Sequence, residues 1–200
     1  MIWINDTLVS QGDAGVYGER VINGYRVWDP YRSKLAALYA LGAGPDLIKS
    51  MRVLYLGAAH GTTVSHVADY TDVVYAVEFA PRPIQDLLEV SARRRNVIPI
   101  MADASRPQTY APLIEYVDLI YQDIAQPDQV EIARRNWLFL KDGGIAVLIL
   151  KTRCVDVKKS PKEVLATATI ECEDCGIRVL KSTWLSPYHQ DHVALLCTKT

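Results

Sequence analysis

The chain has 200 residues, 50% of them hydrophobic and 22% charged, which is enough apolar content for one domain with a full core and excludes a disordered or fibrous protein. A formal net charge of −1 excludes a protein that grips nucleic acid through its surface as a whole. No apolar run reaches the roughly 18–20 residues that span a bilayer, and MIWINDTLVSQGDAG lacks the charged-then-apolar order of a secretory signal, so a cytosolic protein with no membrane partner is expected.

Residues 1–30 carry short alternating segments broken at Gly12, Gly15, Gly18 and Gly24 and read as one or two small hairpins, an N-terminal β region ahead of a main domain over 31–200. WDPYRSKLAALYALG (28–42) reads as a turn and a helix, with Leu35, Leu38 and Leu41 near helical spacing. From Arg52 the chain alternates between β-rich apolar runs and helical patterns. The runs are RVLYLGA (52–58), VVYAVEF (73–79), NVIPIMAD (96–103), VDLIYQDI (117–124) and GGIAVLILK (143–151). TTVSHVADY, PRPIQDLLEVSARRR and PDQVEIARRNWLFL supply helices between them, the last opened near Pro127 and closed by Gly143-Gly144. This is how a doubly wound, mostly parallel sheet reads. A further helix over SPKEVLATATIECEDC leads to GIRVLKSTWL (176–185) and DHVALLCTK (191–199), joined by SPYHQ. A parallel crossover needs about a dozen residues, so these two runs must pair antiparallel. The expected fold is α/β, a seven-stranded, mostly parallel sheet ending in an antiparallel hairpin, with a small N-terminal β appendage.

Cys172 and Cys175 form a lone CxxC with no second pair beside it, late in the chain, which argues against zinc or redox use. The basic clusters Arg93-Arg94-Arg95, Arg134-Arg135 and Lys158-Lys159 with Lys162 read as solvated helix faces.

The chemistry begins at VLYLGAAHGTTV (53–64), a strand running into a small-residue turn and a helix. Such a turn lets backbone approach a ligand, with a dinucleotide, a nucleotide phosphate or S-adenosylmethionine as candidates. Gly57-Ala-Ala-His-Gly61 lacks the second glycine of GxGxxG and the lysine of GxxxxGK[ST], which disfavours both phosphate readings. S-adenosylmethionine carries no pyrophosphate and needs close backbone approach at Gly57, an acid for its ribose hydroxyls and a polar contact to its adenine. Glu78 ends the second strand 21 residues after Gly57, where an acid bonds ribose in nucleotide-binding α/β folds. Phe79 can pack on the adenine face, and Asp103 with the Ala104 amide can meet its amino edge. Glu78 and Asp103 as simple helix caps are the plainer alternative.

Methyl transfer is an in-line displacement, so the protein supplies position and, for an acceptor that must lose a proton, a base and fixed charge. Lys151 ends the fifth strand after six apolar residues and can accept that proton or stabilise the oxyanion. Asp123 ends the fourth strand and can hold Lys151 while facing the methionyl amino group. Lys34 and His192 complete a polar cluster if the N-terminal helix and the final hairpin fold over the strand ends.

GVYGERVI, YRVWDPYRSKLAA, VLYLGAAHGTTVSHV, VYAVEFAPR, RRNVIPI with ADAS, QDIAQP, LKDGG and PYHQDHVAL together resemble fibrillarin, in its short archaeal, fibrillarin-like RNA 2′-O-methyltransferase form, over about Gly15 to Lys199. The resemblance implies a Rossmann-like methyltransferase fold and a catalytic cluster on Lys34, Asp123, Lys151 and His192. It implies S-adenosylmethionine contacts at Thr62, Thr63, Glu78, Phe79, Asp103, Ala104, Asp123, Ile124, Ala125 and Gln126. It further implies a box C/D guide RNA pairing with a target RNA, a Nop-domain scaffold protein and a kink-turn-binding protein as partners. One departure is His60, where the family usually carries a small residue. The alternatives are a methyltransferase acting on a protein or small molecule, and a non-catalytic assembly subunit whose cofactor turn is filled by His60.

Overall fold

The computed structural model describes residues 2–12 and 14–199. Of the one or two hairpins expected, strands β1 (Ile2–Ile4), β2 (Thr7–Gln11), β3 (Val21–Ile22) and β4 (Tyr25–Val27) make two, and these join into one antiparallel sheet ordered β1-β2-β4-β3. Helix α1 (Lys34–Ala40) follows, its first turn closed by Ser33, whose Oγ accepts from the Ala36 amide at 3.2 Å.

The rest of the chain builds on β5 (Arg52–Leu56), α2 (Thr62–Ala68), β6 (Val73–Glu78), α3 (Pro81–Arg93), β7 (Val97–Met101), β8 (Val117–Gln122), α4 (Gln129–Asn136) and β9 (Leu140–Lys151). The short α5 (Thr152–Val155), then α6 (Pro161–Asp174), β10 (Arg178–Trp184) and β11 (His192–Thr198) complete it. The second sheet is ordered β10-β11-β9-β8-β5-β6-β7. Strands β5 to β9 pair parallel, whereas β11 lies antiparallel to β9 and β10 antiparallel to β11.

Alternate residues of each strand enter opposite cores, as a period of two requires. Leu54, Leu56, Val77, Ile120 and Leu148 share one with α4 and α6, while Val53, Tyr55, Val74, Leu119 and Val147 share the other with α1, α2 and α3. Each such side chain contributes about 1.5–3 kcal/mol of burial. The N-terminal sheet is held to this body by ion pairs. Arg26 is fully buried between Glu19 and Asp69, Arg94 reaches Asp69 at 2.6 Å, and Arg93 donates to the Val16 carbonyl at 2.6 Å. Two arginines of the run expected to be a solvated face therefore clasp the appendage; Arg134 and Arg135 fit that expectation better, pairing with Glu131 on their own helix.

Gly143-Gly144 does not close a helix. α4 ends at Asn136, and β9 begins at Leu140 and runs through both glycines, where its register with β8 shifts between the Val117↔Leu140 and Leu119↔Ile145 pairs. Gly143, at φ +74°, takes up the extra residues as an irregularity in the strand.

Candidate active site at the carboxyl ends of the strands

Protein packing by itself requires the glycines of the turn after β5. Gly57 sits at φ +83°, and a Cβ there would collide with the carbonyl oxygen of Asp123. Gly61, at φ +79°, faces Leu87 and Val90 of α3. The amides of Gly57 and Ala58 both reach the Val77 carbonyl at 3.0 Å. Glu78 spans two segments: its Oε2 accepts from Ala59 N at 2.9 Å and its Oε1 from Ala80 N, the cap residue of α3, at 2.8 Å. The helix-capping role thus exists, yet each carboxylate oxygen keeps a second lone pair. His60 turns outward to Asp86 at 2.7 Å and does not fill the turn, which removes the physical basis for a blocked site.

Beside this turn lies a cavity of about 270 Å³. Its walls include Gly57, Glu78, Phe79, Asp103, Ala104, Asp123, Ile124, Ala125, Gln126 and Lys151, together with Ala59, Val77 and Ala102, which sequence reasoning did not single out. Phe79 is 66% exposed, an apolar ring turned to solvent at the rim. Asp103 binds the Ser105 amide through Oδ1 at 2.8 Å and leaves Oδ2 with a contact to Arg106 at 4.0 Å. Thr62 and Thr63 open α2 without lining the cavity, and Thr63 Oγ1 instead meets Ser33 Oγ at 3.0 Å, tying α1 to the turn. The walls fit S-adenosylmethionine: three carboxylates with spare acceptor capacity suit its ribose hydroxyls, adenine amine and methionyl ammonium, and Asp123 Oδ1 is a buried oxygen without an aligned donor.

Asp123 is where four elements meet. Its amide donates to Leu56 O on β5 at 2.9 Å. Lys34 Nζ, from α1, donates to Oδ2 at 3.0 Å, and Lys151 Nζ, at the end of β9, lies 2.9 Å from Oδ1 as an ion pair outside hydrogen-bond alignment. Burial by itself would raise the Asp123 pKa, but Lys34 and Lys151 outweigh it and hold the carboxyl below the usual range. His192 stands opposite Lys151 in the β11–β9 register. Its Nδ1 lies 2.6 Å from the Gln190 carbonyl, which only accepts, so Nδ1 carries the proton and Nε2 is an acceptor. Burial lowers the His192 pKa, with Lys34 and Lys151 adding to the effect.

Two positioning residues were not legible beforehand. Gln129, fully buried at the start of α4, accepts from Lys151 N at 3.1 Å and donates to Gln126 O at 2.8 Å, joining Lys151 to the cavity loop. His189 donates from Nε2 to Pro30 O at 2.9 Å and clasps the turn before His192 to the turn before Lys34. Neither pairing has a local sequence signal, because the partners lie 22 and 159 residues apart.

Comparison with known proteins places this arrangement. The fibrillarin family model matches residues 6–200. The fibrillarin-like rRNA/tRNA 2′-O-methyltransferase of Methanoculleus marisnigri is 65% identical over 199 residues, covering 100% of this chain and 99% of that protein. The fibrillarin of a solved fibrillarin/Nop5p complex superimposes with a TM-score of 0.94 at 44% identity, over 98% of this chain and 96% of that one. Aeropyrum pernix fibrillarin, solved with natively bound S-adenosyl-L-methionine, gives 0.86 at 40% identity over 96% and 89%. With a family match across nearly the whole chain, a relative 65% identical over 199 residues and the same fold, this protein belongs to the fibrillarin family.

Proposed function

We propose that this chain is an S-adenosylmethionine-dependent RNA ribose 2′-O-methyltransferase that works in a particle with a Nop-domain scaffold protein, a kink-turn-binding protein and a box C/D guide RNA that selects the target ribose by pairing. The carrying observation is the Lys34–Asp123–Lys151 ion-pair cluster, faced by His192, at the mouth of an acid-lined cavity. The relative solved with Nop5p supports the scaffold, and a net charge of −1 supports delegation of RNA grip and sequence choice to partners.

When bound, S-adenosylmethionine supplies a methyl group on a cationic sulfur that keeps the electron pair of the broken bond. Glu78 and Asp103 would bind and orient its nucleoside end, and Asp123 Oδ1 would take its methionyl ammonium. A ribose 2′-hydroxyl is a poor nucleophile until its proton begins to leave. Lys151 and Lys34, ion-paired to the carboxylate between them, stabilise the negative charge that grows on that oxygen. His192 Nε2 accepts the proton. Of the two roles open to Lys151, its ion pair with Asp123 at 2.9 Å matches that of oxyanion partner.

Calorimetric titration with S-adenosylmethionine should show saturable binding that Glu78→Ala abolishes. The reconstituted particle should then methylate a guide-paired RNA at one ribose. Methyl transfer by the free chain to protein or small-molecule acceptors, with none to the guided RNA, would overturn the reading.

A further inference from the structure

Asp191 stands between the two strand ends that carry reacting groups without joining their cluster. It precedes His192, which opens β11, and its backbone bonds to Thr152, which follows Lys151 at the end of β9. The Asp191 backbone is left-handed, at φ +55°. That conformation costs a residue with a Cβ about 1–2 kcal/mol, and Asp and Asn are the side chains that best tolerate it, so the surroundings must hold it.

Thr152 holds it from one side. The Asp191 carbonyl accepts from Thr152 N at 3.0 Å and from Thr152 Oγ1 at 2.9 Å, which uses both of its lone pairs. Thr152 is buried, so its hydroxyl has no solvent to turn to instead. The Asp191 carboxylate also accepts from Arg153 Nε at 3.2 Å, on an open surface where such a pair contributes little.

On the other side the bend sets the imidazole. Gln190 O and His192 Nδ1 meet at 2.6 Å across Asp191. In extended backbone the carbonyls point along the sheet and the side chains stand above and below it, which puts such a carbonyl out of reach of the ring two residues on. Among the described residues, Gln190 O is the ring's hydrogen-bond partner. Lys34, Lys151 and Asp123 bring charge to the imidazole and the His189 ring lies 5.9 Å away, but none of them is bonded to Nδ1.

Resting on the methyltransferase reading above, we infer that Asp191 is a positioning residue for methyl transfer: its left-handed backbone, locked by Thr152, aims the Gln190 carbonyl at His192 Nδ1 and so leaves Nε2 free to accept from the ribose hydroxyl. Because Thr152 adjoins Lys151, the same lock sets the proton acceptor and the oxyanion partner as one unit.

The test compares Asp191→Val with Asp191→Asn, in the full chain and in the reconstituted particle. The left-handed region excludes a β-branched residue, whereas Asn tolerates it and loses only the exposed charge pair. Nitrogen NMR of the histidine rings at about pH 8, where the imidazole is neutral, should show wild-type His192 as one tautomer, protonated at Nδ1. Asp191→Val should move both ring nitrogens towards averaged shifts and lower kcat for guided methylation about tenfold or more, with KM for S-adenosylmethionine unchanged. Asp191→Asn should match the wild type in all three. If Asp191→Val does not fold, judged by lost S-adenosylmethionine binding, Thr152→Val against Thr152→Ser carries the same readouts, since only serine keeps the hydroxyl. A valine variant that loses stability towards urea while tautomer and kcat stay at wild-type values would overturn the positioning role and leave Asp191 a turn residue. An equal loss in Asp191→Asn would assign the effect to the carboxylate and overturn the backbone argument. An inactive wild-type particle would overturn the methyltransferase reading, and the positioning role with it.

Discussion

Asp123 governs the chemistry because both lysines neutralise it from opposite sides. Removing one of them leaves a half-compensated carboxylate and an oxyanion with one cation. Lys151→Ala should therefore lower kcat about 10²–10³-fold, the usual size of a lost oxyanion partner, in single-turnover methyl transfer. The proton acceptor can be read from the pH dependence. The His192 pKa is lowered by burial, so the imidazole is neutral and competent at pH 7 and becomes protonated only below about pH 6.5. Methylation should accordingly be flat near neutrality and fall with an acid limb below that value. His192→Asn should lower kcat about 10²–10⁴-fold and abolish the limb, and a limb retained in that variant would assign it to another group. Lys151 and Asp123 were legible as strand-end residues. Lys34 joined them only through the family resemblance, because its pairing with Asp123 links positions 89 residues apart.

At the scale of elements, the turn after β5 is a piece of packing that serves a site. Its glycines let β5 approach the Asp123 backbone and α2 approach α3, and the cavity forms because these contacts hold the strand ends in order. Gly57→Ala places a Cβ against the Asp123 carbonyl at a positive φ. The backbone conformation by itself costs about 1–2 kcal/mol, and relief of the clash must displace Asp123. Both a lower urea midpoint and weakened S-adenosylmethionine binding by calorimetry are expected. A variant that lost stability while binding normally would separate the turn from the site. The glycines themselves were visible in the sequence, but what they face was not, since the sequence does not name the backbone on the other side. The same holds for Gly143-Gly144, whose punctuation reads equally as a helix stop or a strand irregularity.

Across the whole molecule, the N-terminal sheet is joined to the methyltransferase body by a buried polar network. His66 of α2 is fully buried, stacked on Trp28 at 4.7 Å, with Ser10 Oγ 2.5 Å from Nδ1 and Tyr17 Oη 2.8 Å from Nε2. Burial lowers the His66 pKa well below its ordinary value, with Arg26 and Arg94 reinforcing the effect. An unfolded chain binds this proton near pH 6.5 and the folded one only at lower pH. The stability tied to neutral His66 is therefore complete above about pH 6.5 and is lost as pH falls towards the folded value, at up to about 1.4 kcal/mol per pH unit. The urea midpoint should drop between pH 7 and pH 5.5. His66→Gln should flatten that dependence even though it lowers the midpoint at pH 7, and an unchanged slope would place the acid sensitivity elsewhere.

The sequence by itself determined the strand and helix order, the antiparallel closing hairpin and most of the cavity wall, because these follow from local period, turn length and the carboxyl ends of parallel strands. Glu78, Phe79, Asp103 and Asp123 could be found that way, since each ends or follows an apolar run. Only the tertiary structure decided which side chains meet. It set Lys34 on Asp123, His192 opposite Lys151, Gln129 beneath the cavity loop and Tyr31 against Tyr188. Such contacts depend on the closure of distant segments over the sheet, and no local pattern encodes a distance between residues that only folding brings together.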